Sequence, residues 1–283
     1  MVRKTLLITG VSSGLGRALA IAALTDGHTV VGTVRTAADA AAFEALSRGA
    51  AFARLLDVGD DDAAARVVDE VERTVGAIDV FVNNAGYGHE GLVEESSMAD
   101  LRRQFDVNVF GAVALFKAVL PHMRARRAGR IIAISSMGGL ISFPGLAFYH
   151  GSKFALEGIV ASLRKEVAPL GIRVTAVEPG SFRTEWAGRS LVRTPRSIPD
   201  YDALFDPLRA NRQKASGIQL GDPDKAARAI LEIIAAPDPP AHLVLGSDAL
   251  RLIAAERRAF DDEVRTWEAL SRSTDFPDGA QIA

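Results

Sequence analysis

The sequence predicts an α/β fold with a single domain over residues 1–283, in which seven parallel strands form a doubly wound sheet between two layers of helices. Strand-like and helix-like segments alternate almost throughout the chain, as is typical of parallel strands joined by right-handed helical crossovers. Several strands are apolar at every position, for example residues 131–134, as expected where helices cover both faces of a sheet. The apolar content of 48% is sufficient for a large core.

Each element follows from a local pattern. The predicted strands lie at residues 5–10, 29–35, 51–57, 78–83, 130–136, 172–178 and 242–246. Apolar residues three and four positions apart predict helices at residues 14–26, 37–48, 60–75, 98–126, 148–169 and 222–236. Prolines and charges interrupt this rhythm at residues 181–221, where we expect a substrate loop or lid beyond the carboxyl end of the sixth strand. A periodic segment at 249–270 predicts a C-terminal helical extension within residues 247–283.

Composition narrows the classes of partner. The net charge is −2, from 33 basic and 35 acidic residues, which favours a small neutral or amphipathic substrate over nucleic acid. The chain has no cysteine, so disulfides and thiolate nucleophiles are excluded, and its five histidines lack ligand-like spacing, so we expect no metal site. The N-terminal residues run directly into a strand, and no uninterrupted apolar run approaches about 20 residues. We therefore expect a cytoplasmic protein without a membrane partner.

A glycine-rich turn follows the first predicted strand and opens the first predicted helix. It reads Thr-Gly-Val-Ser-Ser-Gly-Leu-Gly at residues 9–16. Glycines let the backbone approach a pyrophosphate, and the unpaired N–H groups of a helix start supply partial positive charge. The turn predicts a dinucleotide cofactor, although a glycine-rich turn without a ligand is the alternative.

Four polar residues further along the chain are candidates for acid–base chemistry. Tyr149 and Lys153 are four residues apart, so they share one face of a helix, where the cation would lower the pKa of the phenol below about 10. A solvated surface pair is the alternative. Ser136 ends an apolar strand, where its hydroxyl either binds a substrate oxygen or caps a turn. Asn108 lies inside a helical pattern, which indicates a kink or a buried polar contact.

Five motifs in this order resemble the short-chain dehydrogenase/reductase family over residues 5–246. They are the Thr-Gly-x3-Gly-x-Gly turn, Asn-Asn-Ala-Gly at 83–86, Asn108, Tyr-x3-Lys at 149–153 and Pro-Gly at 179–180. The resemblance implies a Rossmann fold and hydride transfer between NAD(P) and a carbonyl or secondary alcohol. It assigns proton transfer to Tyr149, and it assigns the substrate oxygen to Ser136, thirteen residues earlier. It places Lys153 on the nicotinamide ribose and Asn108 on a water of the proton relay.

The resemblance also assigns the cofactor contacts. The residues so assigned are Gly10, Ser12, Ser13, Gly14, Leu15, Gly16, Arg35, Asp57, Val58, Asn84, Ala85, Gly86, Tyr149, Lys153, Pro179, Gly180, Phe182 and Thr184. Val34 occupies the position at which NAD-preferring members carry Asp, and Arg35 follows it, so we expect NADP. Many NADP-preferring members carry a basic residue where this chain has Ser13, and a surface role for Arg35 with NAD as cofactor is the alternative.

The substrate is less specified than the chemistry. The sequence around Tyr87 and the stretch at 153–158 resemble the 17β-hydroxysteroid and retinol dehydrogenase-like branch, so we expect a small to medium-sized carbonyl compound. A non-catalytic NADP-binding sensor on the same fold and a sugar-nucleotide epimerase or dehydratase are the alternatives. Family members commonly assemble through the long helices, here 98–126 and 148–169, so the resemblance implies a homodimer or homotetramer.

Overall fold

The main sheet has seven parallel strands, as the sequence predicts. The computed structural model describes residues 2–188, 190–276 and 279. Its strands are β1 (Thr5–Thr9), β2 (Thr29–Val34), β3 (Ala51–Leu55), β4 (Val80–Asn83), β5 (Gly88–Glu90), β6 (Gly129–Ile134), β7 (Ile172–Pro179), β8 (Leu191–Arg193) and β9 (His242–Leu245). The order in the sheet is β3-β2-β1-β4-β6-β7-β9, and every pairing in it is parallel. The carboxyl ends of all seven strands therefore share one edge.

Helices cover both faces of this sheet. They are α1 (Gly14–Thr25), α2 (Ala37–Glu44), α3 (Asp61–Thr74), α4 (Met98–Phe105), α5 (Gly111–Arg126), α6 (Ala147–Val167), α7 (Asp202–Ala215), α8 (Pro223–Ala235) and α9 (Ser247–Arg272). Leu7 joins an apolar cluster with α3, α5 and α6, whereas Leu6 and Ile8 join a second cluster with α1 and α8. Alternate residues of one strand thus enter opposite cores, which explains why β1 is apolar at successive positions.

The helix predicted at 98–126 is interrupted. One π-helical turn, Asp106–Phe110, separates α4 from α5, and it contains Asn108. Gly111 follows it, and a Cβ there would lie 2.2 Å from the Val58 carbonyl oxygen. Single π turns are frequent at functional sites. Met98–Arg126 has the length and mean hydropathy, 1.2, of a membrane span, yet α5 buries four large side chains in the core, at Leu115, Phe116, Val119 and Met123.

The segment predicted as a lid contains secondary structure of its own. β8 pairs in parallel with β5 to form a two-stranded sheet, and α7 follows it. The ends of the segment meet where Phe182 forms a bridge with Gly221 and the Gly221 amide donates to the Ser181 carbonyl oxygen at 2.9 Å. The segment therefore leaves the main fold and returns to it at one point, with residue 189 outside the described residues.

The predicted C-terminal helix is α9. Ala249 and Ile253, in its first two turns, are buried, and the remainder of the helix is largely exposed. Residues 277, 278 and 280–283 of the predicted extension lie outside the described residues.

Candidate active site

The glycine-rich turn has the backbone that a phosphate group requires. Gly10 and Gly14 have φ angles of +72° and +60°, which favour glycine over any residue with a side chain. A Cβ on Gly16 would lie 2.4 Å from the Gly10 carbonyl oxygen, so only glycine allows α1 to start this close to the turn. Ser13 is the N-cap residue of α1, but its side chain accepts no capping hydrogen bond. The first N–H groups of α1 therefore retain capacity for an anion.

A hydrogen-bonded platform supports this turn. The Thr9 hydroxyl accepts bonds from the amides of Asn84 and Ala85 at 2.9 and 2.8 Å. The Asn84 side-chain amide donates in return to the carbonyl oxygens of Thr9 and Gly10 at 2.8 and 3.1 Å. The Asn-Asn-Ala-Gly segment thus binds the end of β1 to the end of β4. Asn84 itself uses its side-chain donors within the scaffold.

The residues assigned to the two ends of the cofactor border this turn. Arg35 follows β2 directly, is exposed, and has no hydrogen bond or ion pair among the residues described. Asp57 is exposed, and its carboxylate accepts a bond from the Gly59 amide, whereas the neighbouring Val58 is buried. Thr184 lies 3.6 Å from the position of a Cβ on Gly14. The nicotinamide-side segment therefore faces the phosphate turn.

Pro179, Gly180 and Phe182 continue from the end of β7. A Cβ on Gly180 would lie 2.4 Å from a carboxylate oxygen of Asp248, which also accepts a bond from the Ser181 amide. The Phe182 ring covers Gly221, with its Cγ 2.5 Å from the position of a Cβ there. In this structure Phe182 therefore packs at the base of the lid segment.

Tyr149 lies in the first turns of α6 and is 7% exposed. Its ring is 5.0 Å from the Trp186 ring, and it has a side-chain hydrogen bond with Ser136. Burial raises the pKa of Tyr149 to about 12, and the bond with Ser136 opposes this rise. The expectation of a pKa below about 10 is therefore wrong for the protein in this state, because desolvation of the buried phenol is the largest influence on its pKa.

The contacts of Lys153 bear on the same expectation about the pKa of Tyr149. Its ammonium is buried and donates a hydrogen bond to the Ile134 carbonyl oxygen at 2.9 Å. Burial lowers the pKa of Lys153 to about 8, and the charge of Glu157 acts in the opposite direction. The ammonium also lies 3.9 Å from the position of a Cβ on Gly86, so β4, β6 and α6 converge on this atom.

Asn108 forms a clamp between α6 and the segment after β4. Its carbonyl oxygen accepts a bond from the Tyr87 amide at 3.1 Å, and its amide donates to the Tyr87 carbonyl oxygen at 3.0 Å. The same amide group donates to the Ser152 hydroxyl at 3.1 Å, and Ser152 donates to the carbonyl oxygen of Tyr149. The sequence pattern at Asn108 indicated either a helix kink or a buried polar contact, and the structure contains both.

Ser136 likewise combines its two interpretations. Its hydroxyl accepts a bond from the Gly138 amide at 2.9 Å, which caps the short helical turn Met137–Gly139, and it contacts the Tyr149 hydroxyl. The four predicted catalytic residues thus lie at one edge of the sheet. The π turn supplies Asn108, the end of β6 supplies Ser136, and one face of α6 supplies the other two.

Two aromatic residues beside Tyr149 were not predicted from the sequence. His150 binds the Gly138 carbonyl oxygen through Nδ1 at 2.8 Å and accepts the Phe143 amide through Nε2 at 2.9 Å, so it holds the loop before α6. Trp186 reaches Tyr149 from the lid segment. The histidine follows the tyrosine directly in sequence, but nothing in the local pattern indicated that either ring would be adjacent to the phenol.

An apolar cleft begins at these rings. It has a volume of ≈ 770 Å³, which is within the usual range for a small-molecule site. The residues that line it are Leu92, Val93, Glu94, Ser142, Phe143, Pro144, Gly145, Ala147, His150 and Tyr201. Ring contacts connect the cleft to the catalytic residues, because Phe143 contacts His150 at 5.7 Å and His150 contacts Tyr149 at 5.8 Å.

A second polar cluster lies beside Lys153. Glu157 on α6, Glu178 on β7 and His242 on β9 each place one donor atom within 4.8 Å of the others. These residues are up to 85 positions apart, so no local pattern indicated that they lie close together.

Comparison with known proteins identifies the family. The model of the short chain dehydrogenase family matches residues 4–192. The chain belongs to the short-chain dehydrogenase family. A solved short-chain dehydrogenase from Streptomyces avermitilis is 40% identical in sequence and superimposes with a TM-score of 0.90. The match covers 96% of this chain and 98% of that protein. The membership makes this chain an NAD(P)-dependent oxidoreductase of alcohol or carbonyl groups, and the relatives do not favour the sensor alternative.

Two further family members have informative names. A 3-ketodihydrosphingosine reductase from Bacteroides thetaiotaomicron is 33% identical over 94% of this chain and 97% of its own length. The structure of ElxO with NADP bound is 26% identical, with a TM-score of 0.73, over 88% of this short-chain dehydrogenase and 100% of ElxO. These comparisons confirm the predicted fold class and reaction class.

Proposed function

We propose that this short-chain dehydrogenase reduces the carbonyl group of an extended apolar compound, with NADPH as the hydride donor. The observation that favours carbonyl reduction over alcohol oxidation is the buried Tyr149 hydroxyl. Because its pKa is about 12, it is protonated at neutral pH and is ready to act as a general acid. An alcohol oxidation would instead require the phenolate.

The chain's own residues then have distinct tasks. Tyr149 gives its proton to the carbonyl oxygen, and Ser136, in hydrogen-bond contact with the same hydroxyl, holds that oxygen in place. The positive charge of Lys153 stabilises the phenolate that results. Asn108 keeps α6 and the segment after β4 in register, so that these groups stay aligned. The nicotinamide, when bound, supplies the hydride.

Two features of the chain support a preference for NADP over NAD, and a third fits either cofactor. The open N–H groups at the start of α1 fit a pyrophosphate, and Val34 offers no carboxylate to a ribose hydroxyl. Arg35 is exposed beside it and is available to a 2′-phosphate. The ElxO structure, with its bound NADP, provides a family precedent.

The apolar cleft supports the substrate class. Its lining from Leu92 to Tyr201 is mostly apolar, so an apolar group there gains about 25 cal/mol for each Å² removed from water. Ring contacts run from Phe143 through His150 to Tyr149, so they connect the cleft to the residue that would protonate the carbonyl group. The name of one relative, 3-ketodihydrosphingosine reductase, indicates that it reduces a ketone, which is the reaction proposed for this chain.

Two experiments test this function. In the first, Tyr149→Phe should reduce turnover by about three orders of magnitude or more, while NADPH affinity, measured by nucleotide fluorescence, stays unchanged. Retained turnover would remove Tyr149 as the acid and with it the proposed mechanism.

The second experiment addresses the cleft. Initial rates with NADPH and 2-alkanones of increasing chain length should show kcat/KM rising with each added methylene, by up to about fourfold per group. Val93→Asp, which places a charge in the cleft, should flatten this dependence. Val2→Asp, on another exposed valine near the N-terminus, serves as the matched control. A flat dependence in the unmodified protein would contradict the substrate class.

We also infer that the chain forms a homo-oligomer through α5 and α6, as the family resemblance implies. Phe110 and Phe154 are large apolar side chains that are 55% and 46% exposed on this side of the molecule. Gly158 on α6 has no atom within 4 Å of the position of a Cβ, so this helix face is open to a second copy.

A further inference from the structure

A cluster of titratable side chains extends from Lys153 to the protein surface. Glu157 lies one helical turn after Lys153 on α6, and Glu178 and His242 come from the adjacent strands β7 and β9. His242 donates through Nδ1 to a carboxylate oxygen of Glu178 at 2.6 Å, and a carboxylate oxygen of Glu157 lies 4.0 Å from the same nitrogen. The three side chains are thus in contact or nearly so.

Exposure increases along this cluster. The Glu178 side chain is completely buried, Glu157 is 8% exposed, and the His242 side chain is 45% exposed. At one end of the cluster, Glu157 lies near enough to act on the charge of Lys153, although no ion pair within 4.0 Å joins the two side chains, and the other end reaches solvent. The Ser135 side chain, at the end of β6, also acts to lower the pKa of Glu157, and its own hydroxyl is buried without a hydrogen-bond partner among the residues described.

The carboxylates have unused capacity for protons. One oxygen of Glu157 and one oxygen of Glu178 are buried without a hydrogen-bond partner in the described part of the chain. A buried carboxylate oxygen without a donor is costly, and protonation reduces that cost. Burial raises the pKa of both groups, that of Glu178 to about 7, so the cluster exchanges a proton near neutral pH.

We propose that Glu157, Glu178 and His242 form a proton route between solvent and Lys153. Each carbonyl reduction removes one proton from Tyr149 and leaves a phenolate. The route restores it in discrete transfers. The Lys153 ammonium releases a proton toward the phenolate and becomes an amine, and the carboxylic acid of the Glu157–Glu178 pair reprotonates that amine. His242 then protonates the carboxylate and is itself reprotonated by water or buffer, so no charge accumulates.

The contacts of Asn108 make such a route useful. Both N–H donors of its side chain already bond to Tyr87 and Ser152, so only an oxygen of Asn108 remains to hold the water that the resemblance places there. The route through Glu157 instead uses side chains that are present in the structure. The proposal rests on the roles assigned above to Tyr149 and Lys153, and it adds positioning and proton-carrying residues to them.

The test uses substitutions at the two ends of the route. Glu157→Gln keeps the side-chain shape but cannot carry a proton, and the matched control is Glu166→Gln, an exposed position on the same helix. We expect Glu157→Gln to lower kcat about tenfold with the KM for NADPH unchanged. Because the carboxylate supports the charge of Lys153, its removal should also move the alkaline limb of the pH profile to lower pH.

His242→Ala provides a readout that a purely structural role would not change. Its turnover should fall at low buffer concentration and recover on addition of imidazole, which replaces the lost proton donor, whereas His122→Ala should be insensitive to imidazole. Turnover of His242→Ala that equals the unmodified protein at every buffer concentration would overturn the route. So would a stoichiometric divalent metal in the purified protein that is lost in Glu178→Gln, because the cluster would then be a metal site.

The outcome for Tyr149→Phe, measured in the same assays, separates the two proposals. If that variant is inactive while Glu157→Gln and His242→Ala behave as the unmodified protein, the route fails and the proposed function stands. If Tyr149→Phe is active, the proposed function itself fails.

Discussion

The side chains of Tyr149 and Lys153 respond in opposite directions to the same burial. Desolvation raises the pKa of the phenol to about 12 and lowers that of the ammonium to about 8, since in each case the charged form is disfavoured. At neutral pH, which is below both values, the tyrosine is neutral and the lysine is charged. That is the protonation state required for carbonyl reduction.

This combination predicts the pH dependence of activity. As pH rises through about 8, Lys153 loses its proton and can no longer stabilise the phenolate, so kcat/KM for reduction should fall. Initial rates with NADPH from pH 6 to 10 would check this. A rate that stays constant up to pH 10 would show that the lysine remains charged and that the lowered pKa is wrong.

The same lysine predicts an opposite trend in stability. Its pKa is lowered in the folded protein relative to 10.5, so the unfolded chain binds more protons between pH 8 and 10.5, and stability rises with pH in this window. From pH 7 to 9 the gain is ~1 kcal/mol. Urea unfolding of the unmodified protein and Lys153→Met at both values measures it, because the variant lacks this contribution. An equal pH response in both would contradict it.

Arg35 gives a prediction on cofactor choice. Because it is exposed and has no partner among the described residues, its removal should leave the fold intact and affect only a ligand. Arg35→Ala should raise the Kd for NADPH about tenfold or more, with little change for NADH, since a bond to a charged group contributes about 1.5–3 kcal/mol. Arg48→Ala, on an exposed arginine after α2, is the control. Equal effects on both nucleotides would contradict the assignment.

The sequence specified the positions of these residues but not their environment. Tyr149 and Lys153 are four residues apart, and this local spacing is sufficient to place both side chains on one helix face. The pKa of Tyr149 depends on burial by Trp186 and His150, and Trp186 arrives from a segment 37 residues further along. Desolvation by distant segments has no local signature, and for this reason the predicted direction of the shift was wrong.

At the scale of elements, the buried carboxylate of Glu90 holds the lid segment. Glu90 at the end of β5 is completely buried, and three arginines surround it: Arg193 at 3.0 Å, Arg209 at 3.3 Å and Arg212 at 2.9 Å. Arg193 belongs to β8, and the other two belong to α7. Glu90 therefore joins both elements of the lid to the segment that follows the cofactor platform.

Glu90→Gln should loosen the lid without removing it. The substitution leaves three arginines around a neutral group, and loss of one partner of a buried ion pair costs about 3–5 kcal/mol. We expect faster proteolysis within residues 190–220 and a higher KM for the carbonyl substrate, with NADPH affinity preserved. Glu268→Gln removes an exposed pair on α9 and serves as the control. Identical proteolysis patterns in both variants would show that Glu90 does not hold the lid.

Sequence analysis missed α7, in the proline-containing segment predicted as a lid, and the two short strands β5 and β8. All seven strands of the main sheet were predicted, because continuous apolar runs identify strands that helices cover on both faces. β5 and β8 have three residues each, with charged residues among them, and they pair across about 100 positions. Neither length nor pattern distinguishes such strands from loops. The π turn at Asn108 was foreseen only as a kink.

At the scale of the whole molecule, the strand order explains how distant residues meet. Placing β9 beside β7 brings His242 to Glu178, and placing β6 between β4 and β7 brings Ile134 and Gly86 to Lys153. The proposed catalytic residues and proton route are therefore products of sheet topology. The sequence indicated the strands but left the pairing of β9 open.

Two exposed apolar surfaces in the described part of the chain are relevant to assembly. One is the face of α5 and α6 with Phe110 and Phe154, and the other is the far part of α9, where Phe260 and Trp267 are 65% and 58% exposed. Both are candidates for contact between copies, since exposed apolar side chains grouped together commonly mark interfaces. The open helix face at Gly158 favours the first surface.

Substitution of one phenylalanine on each surface distinguishes them. Phe154→Glu places a charge at the centre of the α5 and α6 face, where two copies related by symmetry would bring like charges together. We expect this variant to sediment as a monomer at concentrations at which the unmodified protein and Phe260→Glu sediment as an oligomer. Far-ultraviolet circular dichroism controls for folding, because both positions are exposed. Dissociation by Phe260→Glu alone would place the interface on α9 and would contradict the assembly that the resemblance implies.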